Sequence, residues 1–487
     1  MTLTKAIDRF FGVREAGSSI RREAVGGLIT FMTMSYIIFV NPVILSDGAG
    51  MDYKAVMAAT CIASAFATIF MALVARYPIA LAPAMGHNAF IAYTICAAGK
   101  LTWQQALLAN FVSGCVFLVL SFTPLRRRIM EAVPDCLKHA IAVGIGIFIA
   151  LIGFQFAGVV VFSPATGVTL GPLQEPAVLV GVVGILLTAL LVARRVPGAL
   201  LIGIAATAAV AMVAEVASAP DRIVGEVPSL APTLGKIFTA TPAAWGVFLQ
   251  VVFILLFLDM FDTIGTLIGV CDHAGLLKDG KLPRAGKALM SDAVGTVAGT
   301  LLGTTTVTSY IESASGVGHG ARTGLASVVT GVLFIGALFF SPLVETVGQG
   351  IPVNLHAAVA CAAGTDVTVL SAGKQVLGHV VATAPVSTTH MTSVVFLHPL
   401  VAAPLVVVGV MMFSGVQRID WKNMSEALPA FLCMMLIPFT FSITDGIAAG
   451  FITYVAIRVV RGRFGRRDVV PGMIAAAFAA YYVIRAA

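Results

Sequence analysis

The sequence predicts an all-α polytopic membrane protein of fourteen membrane-spanning segments, seven plus seven, with the second set inverted relative to the first. Three observations carry that expectation. Hydrophobic residues make up 59% and charged residues 11% of the 487, against about 45–50% apolar and 25% charged in a soluble domain. Apolar runs of bilayer-spanning length recur along the whole chain. Two short segments in matching places, Leu81–Phe90 and Gly303–Gly316, interrupt that pattern with Pro, Gly, His, Asn, Thr, Ser and Glu. Each is the third segment of its half. Irregular backbone at membrane depth is tolerated only inside the protein, and paired interruptions of this kind mark the binding site of a secondary carrier.

Taken in order, residues 1–23 are polar and basic and form a cytoplasmic terminus with no cleavable leader. Spans follow near 24–45, 54–75, 79–98, 103–123, 137–162, 177–194 and 197–217. A loop rich in Pro, Asp and Glu (218–242) separates the halves. The second set lies near 245–271, 286–303, 304–320, 323–346, 400–417, 427–443 and 445–460. The apolar stretch 469–486 is either a further span or an interfacial helix. Arg9, Arg14, Arg21 and Arg22 precede the first span. Arg126–Arg128, Arg194, Arg195, Lys278, Lys281, Arg284, Lys287, Arg418, Lys422, Arg458, Arg461, Arg463, Arg466 and Arg467 follow even-numbered spans or open the next. All fall on one side if the N-terminus is cytoplasmic. The net charge of +7 then belongs to cytoplasmic loops and calls for no nucleic-acid partner. An odd number of spans per half inverts the second half.

Residues 347–399 fit no span and fall on the outer side. They hold His356, His379, His390 and His398, whose spacing matches no metal-ligand pattern. The cysteines Cys61, Cys96, Cys115, Cys136, Cys271, Cys361 and Cys433 are scattered without a CxxC pair and read as buried thiols. No cofactor or metal site is expected. No nucleophile elbow, P-loop, HExxH or dinucleotide fingerprint is present.

The candidate chemistry sits in acids at membrane depth. A carboxylate at the bilayer centre costs at least ~2.5–3.5 kcal/mol, so it faces the protein interior and is functional by default. In span eight Asp259, Asp262 and Thr266 share a helix face; capping a broken helix or pairing a basic residue is the bland alternative. Glu312 lies among Thr304, Thr305, Thr306, Thr308, Ser309, Ser313 and Ser315. As an acceptor it can bind two adjacent N–H donors of a planar heterocycle; as a helix cap it would bind none. Asp292, just inside span nine, either bonds the broken backbone or relays a proton. In the third segment Pro83 and Gly86 break the helix ahead of His87, Asn88, Ala89 and Phe90. Phe90 can stack on a ring, and freed amides can bond its edge. His87 is a proton carrier or an ordinary hydrogen-bonded histidine. Thr33 and Tyr36 form a site wall or simply pack.

At these residues the chain resembles the nucleobase–cation symporter-2 family, and within it the AzgA-like purine permeases. The matching stretches are Gly27–Pro42, Met85–Phe90, Asp259–Gly269, Thr308–Gly316 with Ala321–Leu325, and Glu426–Phe431. The resemblance implies a core domain (24–134 and 243–346) and a gate domain (135–217 and 400–487). It implies a base held between spans three, eight and ten, and proton symport of adenine, guanine or hypoxanthine across the inner membrane. Carried over by position, Asp262 is the span-eight acid with Asp259 one turn away, Glu312 the span-ten acid and Asp292 the span-nine acid. Ala89 and Phe90 would bind the base edge through their backbone. Asn88, Thr308 and Thr33 would line the site, with Asp262, Asp259, Asp292 and His87 available for proton coupling. Two departures stand out: His87 occupies a position expected to be apolar, and 347–399 looks inserted. The oligomeric state stays open, a homodimer being one option.

Two other readings compete. One keeps the fold and changes the cargo to xanthine, uracil or an anion, although carboxylates in the site repel an anion. The other is an intramembrane aspartyl protease. Asp259 and Asp262 lie on one helix, whereas a dyad needs two carboxylates sharing a proton; Asp262 with Glu312 could imitate one.

Overall fold

The computed structural model describes residues 3–123, 133–163, 166–241, 245–276, 282–360, 366–371, 374–379, 388–465 and 468–486. Arg126–Arg128, Lys278, Lys281, Cys361, Arg466 and Arg467 lie outside them. Among the described residues, nine helices are long and apolar enough to cross a membrane.

An amphipathic helix, α1 (Leu3–Phe11), leads into the first segment. That segment is bent rather than continuous: α2 (Ile20–Met34) ends at Ser35, and α3 (Ile37–Ala49) carries on to a left-handed Gly50. Ser19 caps α2 by accepting from the Arg22 amide, and Asp52 caps α4 (Tyr53–Val74) by accepting from the Ala55 amide at 2.8 Å. The third segment opens as β1 (Leu81–Pro83), turns into the short α5 (Met85–Ala89) and continues as a π-helix over Phe90–Ala97. Thr102 and Gln105 form a reciprocal capping box at the start of α6 (Trp103–Ser121). Then come α7 (Asp135–Phe156), the hairpin β2 (Val160–Ser163) and β3 (Gly167–Leu170), α8 (Pro176–Ala193) and α9 (Ala199–Val213). The loop between the halves contains one 3₁₀ turn, Lys236–Thr239.

The second half begins with α10 (Trp245–His273) and α11 (Ala285–Leu302), which stops at Gly303 with φ 100°. The tenth segment opens as β4 (Val307–Ser309) and turns into α12 (Ser313–Gly318). After it run α13 (Gly324–Ala337) and α14 (Ser341–Gly348). Two antiparallel ladders follow, β5 (Ile351–Ala360) with β8 (Thr388–Leu397) and β6 (Asp366–Ser371) with β7 (Lys374–His379). The chain ends with α15 (Pro399–Phe413), α16 (Met424–Phe439), α17 (Ile443–Val460) and α18 (Val469–Ala486).

The all-α expectation is therefore too narrow. The interruptions in the third and tenth segments are short strands, β1 and β4, and three further two-stranded pairs, β2–β3, β5–β8 and β6–β7, lie outside them among the described residues. Residues 347–399, expected as a plain loop, are rich in Val, Thr and alternating apolar residues, a composition suited to strands. Of the four histidines there, His398 has a described side chain.

Helices α2, α4, α6, α10, α11 and α13 pack around the two broken segments, while α7, α8, α9, α15, α16, α17 and α18 pack chiefly on one another. Small residues allow the closest approaches, as in membrane helix pairs generally. At Gly409 of α15 an added Cβ would lie 2.5 Å from the carbonyl oxygen of Gly146 on α7. At Gly27 of α2 it would lie 2.3 Å from the Ala326 carbonyl on α13.

Candidate functional site

The third and tenth segments meet as an antiparallel pair, with Leu81 opposite Ser309, Ala82 opposite Thr308 and Pro83 opposite Val307. The Ala84 amide donates to the Thr306 carbonyl and the Tyr310 amide to the Ala80 carbonyl, each at 2.9 Å. Pro83 donates no hydrogen bond, and a short strand of only three residues suits it. The paired strands satisfy most of the backbone that the broken helices release, and α5 and α12 then start on opposite sides of the crossing.

Six consecutive residues of the tenth segment are each held by a side chain or hydroxyl from another element. Asn41 of α3 donates to Thr304 Oγ1 at 2.9 Å and to Thr60 Oγ1 at 2.7 Å. Thr305 donates to Asn88 Oδ1. Thr306 donates to Asn110 Oδ1 of α6 at 2.7 Å. The amide of Val307 donates to Thr296 Oγ1 at 3.3 Å, while that hydroxyl also reaches Asp259 Oδ2 at 3.2 Å. Thr308 donates to Asp262 Oδ2 at 3.2 Å. Ser309 donates to Asp292 twice, from its amide at 3.1 Å and its hydroxyl at 2.9 Å. Next in the chain, the Tyr310 hydroxyl donates to the Pro83 carbonyl. On the β1 side Thr68 of α4 brackets Leu81, accepting from its amide at 2.9 Å and donating to its carbonyl at 3.0 Å.

This network separates the four acids. Asp259 and Asp292 are fully buried, and each accepts at least two protein donors; Asp259 takes Thr263 Oγ1 at 3.4 Å besides Thr296. Asp262 is half-buried and, among the described residues, has Thr308 as its one side-chain partner. Glu312 stands at the start of α12, where the last anchored residues turn into helix, and takes the Tyr36 hydroxyl on Oε1 at 3.0 Å. Thr33 of α2 donates to the carbonyls of Ile29 and Thr30 at 2.9 Å and lies 3.5 Å from the carbonyl of Glu312. The bend at Ser35 puts Tyr36 against the tenth segment. Thr33, Tyr36, Asp262, Thr308 and Glu312 are thus linked at the crossing.

The third-segment expectations fare differently. Asn88, Ala89 and Phe90 are fully buried beside the crossing. The Phe90 amide, however, donates to the Gly86 and His87 carbonyls, and the Asn88 amide to Ala84. The amides that a helix start leaves without helical partners are its first turn, here Met85, Gly86 and His87. The donor row expected at Ala89 and Phe90 sits one turn earlier, because the helix restarts immediately after Ala84. His87 is buried, and its Nε2 has no hydrogen-bond partner among the described residues. Its helix packs against α3 and α7, and no hydrogen bond joins it to the acids.

Reading the sequence missed Asn41, Asn110, Thr68, Thr296 and Tyr310. A signal existed for the asparagines, since an amide side chain inside an apolar span needs a partner, but nothing in the spacing says which one.

A family model described as a permease family matches residues 21–364. A putative permease of Methanocaldococcus jannaschii is 44% identical over 482 residues, covering 99% of both chains. The guanine/hypoxanthine permease PbuG of Bacillus subtilis is 40% identical, covering 93% of this chain and 94% of its own. The adenine permease AdeP of Escherichia coli is 38% identical, covering 96% and 93%. Among solved structures, the transmembrane domain of a cyanobacterium bicarbonate transporter, BicA, superposes with a TM-score of 0.57 at 15% identity, covering 88% of this chain and 96% of that one. That likeness concerns the fold.

Proposed function

The chain belongs to the nucleobase–cation symporter-2 family, as a membrane permease and not an enzyme, and we propose that it imports purine nucleobases by proton-coupled alternating access. The observation that carries the reading is the pairing of Asp262 and Glu312 at the crossing of two broken segments. Both are acceptors with few protein partners, beside strands whose own backbone is already satisfied. Adenine, guanine and hypoxanthine are planar rings that each present N–H donors, and guanine presents two side by side, N1–H and the 2-amino group. A carboxylate accepting two such donors is a strong, charge-assisted arrangement, and a base is not repelled as an anion would be. Relatives named for guanine/hypoxanthine and adenine support the cargo class.

In this reading Glu312 binds the base edge, Thr308 and Thr33 border it, and Asn88, Ala89 and Phe90 form the opposite wall. Asp262 carries the coupled proton, while Asp259, Asp292 and His87 stand behind it. The fourteen segments form two inverted repeats. Residues 24–134 and 243–346 make the core that holds the base, and 135–217 and 400–487 make the gate. The basic loops face the cytoplasm, the N-terminus with them, in the inner membrane. Release of the base requires the gate to move past the core, and a gate-to-gate homodimer would give that motion a fixed frame.

The test is uptake into sealed proteoliposomes. Labelled hypoxanthine, guanine and adenine should accumulate under an inward proton gradient and cease to do so with a protonophore. Absence of purine accumulation under an imposed gradient refutes the reading, and accumulation of xanthine or uracil instead redirects it to the other cargo.

A further inference from the structure

His398 occupies a position outside the site just described. It precedes α15, at the end of that helix opposite Arg418. Its side chain is 4% exposed. Nε2 lies 2.7 Å from Asp47 Oδ2, at the end of α3, and Nδ1 lies 3.1 Å from the carbonyl oxygen of Gly348, at the end of α14. Its amide donates to the Phe156 carbonyl at 2.9 Å, at the end of α7, and its ring lies 5.0 Å from the Phe156 ring. One residue therefore ties α3 and α14 to α7 and α15.

Both ring nitrogens face acceptors. A neutral imidazole has one donor and one acceptor nitrogen, whereas the imidazolium has two donors. With Asp47 ionised, only the imidazolium satisfies Asp47 and Gly348 together. A neutral ring leaves a lone pair against the Gly348 carbonyl, or leaves the Asp47 carboxylate without its donor. An unmatched buried polar contact is unfavourable, enough to shift a balanced two-state equilibrium.

We propose that His398 and Asp47 form a proton-operated latch that holds the outer side of the carrier closed. This rests on the reading of the chain as a proton-coupled carrier with a moving gate. Proton binding joins the core ends of α3 and α14 to the gate ends of α7 and α15; proton loss frees them. The sign follows from the donor count: the closed state takes up the proton, so closure is favoured at low external pH and weakened as pH rises. Among the described residues, the other titratable and charged groups around the latch are Tyr53, Lys54, Glu345, Asp52, Glu175 and Tyr93. The Tyr53 hydroxyl donates to the Val344 carbonyl at 3.0 Å, and Lys54 pairs with Glu345 at 3.0 Å. Asp52 caps α4, and Glu175 stands at the start of α8. Tyr93 packs against Gly48, with its hydroxyl buried and without a partner among the described residues, so it is placed to donate to Asp47 once His398 departs.

The experiment needs no purine. Val347→Cys, next to Gly348 and 4% exposed in the closed state, is introduced into a variant lacking the native cysteines and reconstituted in vesicles. An impermeant maleimide then reports opening from outside. Divided at each pH by the rate for a permanently exposed cysteine, which removes the thiolate's own pH dependence, labelling should speed up as external pH rises from 5 to 8, by up to about tenfold per pH unit, the limit for one proton. His398→Gln and Asp47→Asn should each abolish that slope. Nitrogen NMR of histidine-labelled protein should show both His398 nitrogens protonated at pH 5. This measurement stands even if either variant folds poorly. A wild-type labelling rate independent of pH, an unaltered slope in a folded His398→Gln variant, or a neutral His398 at pH 5 overturns the latch. Protonophore-insensitive purine uptake with the labelling slope intact would instead count against coupled transport and leave the latch standing.

Discussion

Replacing Glu312 by Gln separates the two roles open to this residue, ligand and helix start. Gln keeps Oε1, so the hydrogen bond from Tyr36, 3.0 Å in length, survives, and so does the start of α12. What changes is the second terminal atom, which becomes an NH₂ pointing donors at a ligand that also presents donors. A hydrogen bond to a charged group contributes about 1.5–3 kcal/mol, and at 1.4 kcal/mol per decade its loss weakens binding by roughly 10–150-fold. Because the Tyr36 bond is retained, the unfolding midpoint should stay close to that of the wild type. Isothermal titration of purified protein with hypoxanthine, alongside thermal unfolding, measures both quantities. Wild-type affinity in a folded Glu312→Gln protein would remove this residue from the binding site and most of the proposed chemistry with it. A large drop in stability would assign Glu312 to structure.

Other outcomes follow from the same contacts. Asp262→Asn should leave purine binding largely intact while abolishing accumulation against a gradient, read by comparing titration with gradient-driven uptake. Thr296→Val removes the hydroxyl shared by Val307 and Asp259 and should cost about 1–3 kcal/mol of stability, seen as a lower unfolding midpoint. Asp292→Asn should lower stability in the same assay more than Asp262→Asn does, since Asp292 accepts two bonds from Ser309. Gly409→Val should separate α15 from α7, because even a Cβ there falls 2.5 Å from the Gly146 carbonyl; loss of folded monodisperse protein on size-exclusion chromatography would show it.

Much of the scaffold was legible because a bilayer imposes a strong rule: long apolar runs must be helices. The same rule singled out the two broken segments, since Pro83, Gly86 and the run Thr304–Thr308 cannot belong to a lipid-facing helix. Three things were not legible. The Ser19 cap starts the first helix at Ile20 rather than near 24, whereas the helices capped by Asp52 and Thr102 start within one residue of expectation, at Tyr53 and Trp103. The bend at Ser35–Tyr36 left no mark beyond polar residues in an apolar run. Pairings between distant residues, such as Asn41 with Thr304 or Asp47 with His398, depend on helix packing that no local pattern encodes. The spacing of His398 sets only a metal ligand against an ordinary loop residue, because its partner Asp47 lies 351 positions earlier.

The arrangement also explains why so many polar groups gather on one short stretch. A strand of three residues within a membrane protein has two neighbours to satisfy and only one strand beside it. β1 supplies that strand, and the remaining demand falls on the side chains of the surrounding helices. Asn41, Asn88, Asn110, Thr296, Asp262 and Asp292 meet it in order along residues 304–309. Asp292 takes two bonds from Ser309, and Thr296 both donates and accepts, while Asn41 Oδ1 and Asn110 Nδ2 have no partner among the described residues. An acid with a single partner retains acceptor capacity that a ligand or a proton can take up, and Asp262 and Glu312 are the two in that position. The functional assignment therefore rests less on the presence of the four carboxylates at the crossing, Asp259, Asp262, Asp292 and Glu312, than on which of them the protein leaves incompletely bonded.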